Sequence, residues 1–223
     1  MFKALIFDFD GVIVDSEQAH YEACRRVFSE IGLHLSRREY QQKYIGLSDK
    51  EMFPKVLEDK GRAVTDETIY GMIIQKINAY RSIITDANQV PVVTGLYAFI
   101  DDLVRQQKRI GICSGSSKRE VMVTLDKLYQ DHLQSCFETI VTANDVSFTK
   151  PHPEGYLLAA DNLMVDPSYC MVIEDSPVGI EAAKGAGMYV VGLTTTYNAY
   201  ALKNADLVVS DFDALPRINS FET

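Results

Sequence analysis

Six short β-rich runs end in polar residues and alternate with helical stretches, a rhythm that constrains the fold more than any other feature of the chain. The runs are Lys3 to Phe9, Arg109 to Cys113, Thr139 to Thr142, Cys170 to Ile173, Val190 to Leu193 and Leu207 to Val209. Strands joined through helices pair in parallel, so the pattern predicts an α/β core with a parallel sheet covered by helices on both faces. The spacing of Leu96, Phe99, Ile100, Leu103 and Val104 predicts a helix before the second strand, and Val121, Leu125 and Leu128 predict one after it. Ligands of open α/β sheets bind beyond the carboxyl ends of the strands, so the polar residues after each run are the candidate site.

The interval 15–90 breaks the rhythm. It has little strand signal, and its apolar residues fall at helical spacing: Ala19, Ala23, Val27 and Ile31, then Ile69, Ile73, Ile77 and Tyr80. The expected organisation is therefore a core of residues 1–14 and 91–223 with a helical subdomain, 15–90, inserted between its first two strands. Hinges are expected near Val14 to Ser16 and near Val90 to Gly95, where Pro91 and Gly95 mark a loop. An insert beside a strand-end site can act as a lid that excludes water, or as a decoration with no gating role.

The first run leads into Asp8-Phe9-Asp10-Gly11-Val12. Side chains two apart on a strand share a face, so Asp8 and Asp10 converge on one ligand if the backbone stays extended to Asp10. Close carboxylates repel, and such a pair shares a cation or a proton; the plainer reading is a strand-end turn. Ser114-Gly115-Ser116-Ser117 comes after the second run, where a hydroxyl and free N–H groups at a helix start make either an anion site or an ordinary cap. Lys150 precedes Pro151 in Thr149-Lys150-Pro151-His152-Pro153-Glu154, as a phosphate-binding ammonium or a solvated surface group. Glu174 and Asp175 after the fourth run add two carboxylates, or cap a helix that starts at Pro177.

Bulk properties narrow the function. A net charge of −9 argues against nucleic-acid and anionic-membrane partners, which favour a basic face. Screening over roughly 8 Å leaves a phosphorylated small molecule compatible with that charge. The four cysteines show no CxxC spacing or dense disulfide pattern; Cys113 and Cys170 sit in apolar runs as buried thiols, and a cytoplasmic location is expected. The opening apolar run is too short for a cleavable signal, and no segment reaches the roughly 20 apolar residues that span a bilayer. A monomer is expected, although nothing in the sequence fixes the oligomeric state.

Taken together, DFDGV, ICSGSS, KPHPEGY and VIEDSPVGIEAAKGAGM resemble, in order, the four motifs of the haloacid dehalogenase superfamily of phosphotransferases. Within it the chain resembles the β-phosphoglucomutase and sugar-phosphatase branch, which implies a Rossmann-like core and a helical-bundle cap. The resemblance implies that Asp8 is the nucleophile that forms an aspartyl phosphate. It implies that Asp10 protonates the leaving oxygen and then activates the incoming hydroxyl, a role that needs a raised pKa. Asp8, Asp10 through its carbonyl, and Asp175 would hold Mg²⁺, with Glu174 beside them. Ser114, Gly115 and Lys150 would bind the phosphoryl oxygens. Asp10 disfavours the dehalogenase and phosphonatase branches, which generally lack an aspartate there.

The loop Tyr44-Ile45-Gly46-Leu47-Ser48-Asp49-Lys50-Glu51 resembles the mutase specificity loop, but Ile45 and Asp49 stand where that branch has lysine and arginine. Losing two cations disfavours a mutase, and Ile45 and Asp49 become candidate substrate-contacting positions. His20 matches a cap-hinge histidine of the mutase branch and either supports Asp10 or is structural. His34 and His132 have no supporting context and read as surface residues. The leading expectation is an Mg²⁺-dependent phosphatase acting on a small phosphorylated metabolite, a sugar phosphate in the first instance. A phosphoglucomutase-like isomerase and a non-catalytic module are the alternatives.

Overall fold

The computed structural model describes residues 2–88, 90–128 and 133–215. Six strands form one parallel sheet: β1 (Ala4–Phe7), β2 (Arg109–Cys113), β3 (Thr139–Val141), β4 (Cys170–Glu174), β5 (Tyr189–Leu193) and β6 (Leu207–Val209), in the order β3-β2-β1-β4-β5-β6. All six match the strand-like runs of the sequence. The order reverses around β1, so the crevice above its carboxyl end is the switch point at which such sheets bind ligands.

Side-chain alternation splits the core in two. Leu5 and Phe7 point to one face with Ile110, Ile112, Met171 and Ile173, where they meet α5 (Leu96–Arg105) and α6 (Lys118–Leu128). Ala4 and Ile6 point to the other with Val172 and Val190, under α7 (Glu154–Asn162) and α8 (Pro177–Gly185). Both faces are thus buried, which is why the strands read as apolar runs rather than as alternating ones. Phe7 is fully buried and forms aromatic contacts with Phe99, Phe137 and Phe212. Val104, read as part of the α5 stripe, is half exposed, and Ile31 lies just past the end of the first helix with 39% exposure.

Between β1 and α5 lie four helices: α1 (Glu17–Glu30), α2 (Arg37–Lys43), α3 (Asp49–Asp59) and α4 (Asp66–Asp86). They bury a cluster of their own that includes Phe28, Tyr44, Phe53 and Leu57. The two connections to the core run side by side: the Asp15 N–H donates to the Pro91 carbonyl at 3.0 Å, the Val93 N–H donates to the Ile13 carbonyl at 3.2 Å, and Val14 bridges Val92. No described helix is long and apolar enough to cross a membrane. Cys24, Cys113 and Cys170 are buried free thiols and Cys136 is partly buried.

Candidate active site

The strand carrying the first Asp pair is shorter than the sequence implies. β1 ends at Phe7; the Asp8 N–H still reaches the Ile173 carbonyl, but Phe9 bends the chain and residues 11–13 form a turn. The extended backbone assumed as far as Asp10 is therefore not formed, although both carboxylates line one cavity. Gly11 is required there: its φ is +78°, and an added Cβ would lie 1.9 Å from Asp175 Oδ2. The bend separates the two carboxylates into different environments around one cavity of about 260 Å³, which both of them line.

Asp8 lies in the acidic half. Asp8, Glu174 and Asp175 each bring a carboxylate oxygen within 4.8 Å of the others, and all three are buried. Lys150 Nζ donates to Asp8 Oδ1 and, at 2.7 Å, to Glu174 Oε1. Burial, reinforced by Glu174 and Asp10, outweighs Lys150 and pushes the Asp8 carboxyl up to about 7. Burial next to Glu174 and Asp8 also raises Asp175 well above the usual carboxylate range. Three buried carboxylates facing one ammonium are an oxygen-only donor set short of positive charge, which fits a hard divalent cation.

Glu174 differs from its neighbours. Oε1 accepts from Lys150 and from Tyr156 Oη at 2.8 Å, while Oε2 accepts from the Asp175 and Ser176 N–H groups and from Ser176 Oγ. Burial raises its pKa, but Lys150, Tyr156 and the Ser176 amide outweigh that and hold it below the usual range. Glu174 is therefore an anchored anion that orients Lys150. Gly179 makes room for it, because an added Cβ would sit 1.7 Å from Glu174 Oε1. Gly179→Ala is expected to lower stability by about 1–3 kcal/mol through overpacking, read as a lower urea midpoint; an unchanged midpoint would show that Glu174 relaxes freely.

Asp10 belongs to the other half. Its Oδ1 accepts from Ser16 Oγ and from His20 Nε2 at 3.0 Å, and Oδ2 accepts from Ser116 Oγ at 2.6 Å. Burial raises its pKa, but the His20 ring and the hydrogen bonds from His20, Ser116 and Ser16 prevail and hold it well below the usual range. This reverses the raised pKa expected for an acid, because the predicted like-charge repulsion is replaced by donors on three sides. The Asp10 carboxylate is also outside the three-carboxylate cluster, so the metal assignment of Asp10 does not extend to its side chain.

His20 sits where the sequence put it, on α1 beside Asp10. Its ring stacks on Tyr80 at 4.3 Å, and its Nδ1 lies 3.0 Å from Lys76 Nζ. Burial and Lys76 lower its pKa, but Asp10, with its hydrogen bond, and Glu120 outweigh them and raise it above the usual imidazole value. Ser114 is buried, with Oγ accepting from the Ser116 N–H at 3.0 Å, and it does not line the cavity; Gly115, Ser116 and Ser117 do. Asp49 lines the cavity and pairs with Lys76, whose Nζ is 2.9 Å from its Oδ1. Ile45 does not line it: its side chain packs on the insert's own core, while its carbonyl accepts from Tyr197 Oη at 2.7 Å. The expectation that Ile45 contacts substrate is thus corrected. His34 is exposed, and His132 lies outside the described residues.

Sequence reasoning missed Ser16, Ser116, Lys76 and Glu120. Lys76 had a signal, since it falls on the stripe of Ile69, Ile73, Ile77 and Tyr80 and is 2% exposed. Glu120 had one too, because Ser117-x-x-Glu120 is a capping-box pattern, and Glu120 Oε2 does accept from Ser117 N and Oγ. Ser16 stands at the N-cap of α1, yet its hydroxyl turns to Asp10 instead of capping.

The haloacid dehalogenase-like hydrolase family profile matches residues 5–193. The chain is 32% identical over 215 residues to validoxylamine A 7'-phosphate phosphatase of Streptomyces hygroscopicus subsp. limoneus, covering 95% of this chain and 94% of that one. It is 29% identical over 209 residues to β-phosphoglucomutase of Bacillus subtilis (strain 168), covering 93% and 88%. Among solved structures, β-phosphoglucomutase (pgmB) of Clostridium difficile superposes with a TM-score of 0.87 at 30% identity, over 99% of this chain and 96% of that one. The fold, the order of the four motifs and these similarities agree: the chain belongs to the haloacid dehalogenase-like hydrolase family.

Proposed function

We propose that this protein is an Mg²⁺-dependent phosphatase that hydrolyses a small phosphorylated metabolite through an aspartyl phosphate on Asp8. The observation that carries the reading is the division of labour around one cavity. Asp8 sits against Lys150 and the Glu174–Asp175 pair, and Asp10 is held separately by Ser16, His20 and Ser116. The relatives named as phosphatases support it.

In this reading Asp8, Asp175 and the neighbouring Glu174 hold Mg²⁺, which neutralises the carboxylates and the phosphoryl oxygens when bound. Lys150, fixed by Glu174, offers its ammonium to the phosphoryl group beside Asp8, and Gly115 and Ser116 line the same space. Asp8 attacks phosphorus, and the P–O bond to the alcohol breaks. Asp10 is held as an anion in the free protein; a phosphate dianion arriving beside it raises its pKa, so it takes up a proton from solvent and passes it to the leaving oxygen. In the second half Asp10 takes a proton from the water that attacks the aspartyl phosphate, returning Asp8 and releasing phosphate. Helices α1–α4, with residues 15–90 as their limits, act as the cap that covers this cavity.

Phosphate release over a panel of sugar phosphates with Mg²⁺ tests the reading, with interconversion of glucose 1-phosphate and glucose 6-phosphate as its control. Release from at least one ester is expected, EDTA should abolish it, and restored Mg²⁺ should recover it. Interconversion with little release would overturn the hydrolase assignment. The raised pKa of Asp8 adds a pH dependence. A cation arriving at Asp8 below pH 7 displaces a proton, so apparent Mg²⁺ affinity is expected to fall as pH drops through 7. Calorimetry in buffers of different ionisation heat should show more proton release on Mg²⁺ binding at pH 6 than at pH 8.5; equal release at both would contradict the role of Asp8.

A further inference from the structure

The insert contributes a buried lysine to the cavity, and that lysine is already paired. Lys76 Nζ donates to Glu120 Oε1 at 2.8 Å and to Asp49 Oδ2 at 3.0 Å, and lies 3.0 Å from His20 Nδ1. Two carboxylates thus neutralise this ammonium from within the protein. Glu120 comes from α6 in the core and is 1% exposed, with its second oxygen held by Ser117. Lys150, the other buried cation on the lining, is occupied by Asp8 and Glu174. Lys50 also lines the cavity, but it is exposed at the start of α3.

The negative side is not saturated. Glu17 lines the same cavity, and its Oε1 is the one buried side-chain polar atom among the described residues that makes no hydrogen bond. Buried polar atoms nearly always have a partner, so this oxygen marks a place where a donor belongs. Leu47, Met52, Ile73 and Ile77 line the same cavity and supply apolar surface to it. The insert end of the cavity thus offers apolar wall and a free acceptor, with both buried ammonium groups engaged.

We propose that Asp49 and Glu120 determine specificity by occupying Lys76, and that the alcohol part of the substrate carries a hydrogen-bond donor for Glu17 and no second anionic group. The donor is a hydroxyl or an ammonium; a second phosphate is rejected, because Lys76 would have to abandon a carboxylate buried with it. The inference rests on the phosphatase reading for the reacting phosphoryl group, but it concerns how residues of the insert meet the alcohol part.

Calorimetric titration of the whole chain carrying Asp8→Asn, with Mg²⁺ present, separates the two. The probes are glucose 6-phosphate, glucosamine 6-phosphate and glucose 1,6-bisphosphate. At least one monophosphate is expected to bind ten-fold or more tightly than the bisphosphate. Adding Asp49→Asn and Glu120→Gln, which keep acceptor oxygens but remove both charges, should shift that ratio at least ten-fold toward the bisphosphate; Asp49→Asn alone serves if the double change does not fold. Glu17→Gln should weaken glucosamine 6-phosphate more than glucose 6-phosphate if the donor is an ammonium, whereas Glu17→Leu should weaken both. A bisphosphate that binds as well as the monophosphates, a ratio unmoved by folded variants, or no binding at all overturns the proposal. Selective binding by Asp8→Asn combined with no phosphate release by the unmodified protein would instead reject the phosphatase reading alone.

Discussion

Asparagine in place of Asp8 is expected to lower phosphate release by at least about three orders of magnitude while leaving the fold intact. The substitution keeps the volume of a side chain that is 8% exposed, so packing under the β1 turn is preserved. It removes the oxyanion that attacks phosphorus and one of the three clustered carboxylates. Lys150 keeps Glu174 as a partner, and Glu174 keeps its other donors, so no buried charge is stranded. Circular dichroism should match the unmodified protein, while initial-rate assays fall below detection. Release above a few per cent of the original rate, from folded protein, would show that the reaction does not pass through Asp8.

Replacing Lys76 with Met is expected to have the largest effect on stability, about 3–5 kcal/mol, and to lower the melting temperature by roughly 10 °C. The volume is similar, but the change leaves Glu120 buried without an ammonium, with Ser117 as its hydrogen-bond donor and His20 Nδ1 at 3.9 Å, and Asp49 loses its partner. The same change removes the ammonium that lies 3.0 Å from His20 Nδ1, which loosens the support of Asp10 while the ring stays stacked on Tyr80. Thermal unfolding checks the first effect. A double-mutant cycle with Glu120→Gln checks its cause, since removing the second charge should recover a substantial part of the loss. A melting temperature within 2 °C of the original would mean that solvent reaches Glu120 and that the cluster is not a buried network.

This network also changes the meaning of Asp49. Sequence reasoning read it as a missing arginine, so that Asp49→Arg with Ile45→Lys would move the protein toward a mutase. In the structure arginine at 49 would face Lys76, and lysine at 45 would enter the insert's apolar core. Asp49 is better described as half of the arrangement that occupies Lys76. The parallel sheet, the inserted helices and the positions of Asp8, Glu174 and Asp175 at strand ends were legible, because each depends on periodicity or on position at the end of a strand, and Lys150 was legible from the motif on the loop between β3 and α7. The part played by Ser116 was not legible, because three serines in four residues carry no information about which hydroxyl faces the cavity.

The chain by itself determined the sheet, the insert and the list of carboxylates and lysines at the strand ends, since hydrophobic period and strand-end position are local properties. Only the tertiary structure decided how these charges pair. Asp8 and Asp10, two residues apart, have pKa values pushed in opposite directions because one faces carboxylates and the other faces His20, Ser16 and Ser116. Lys76 and Glu120, 44 residues apart, meet because the insert folds back over the core. Electrostatic character depends on distance and burial, and neither is a property of sequence separation.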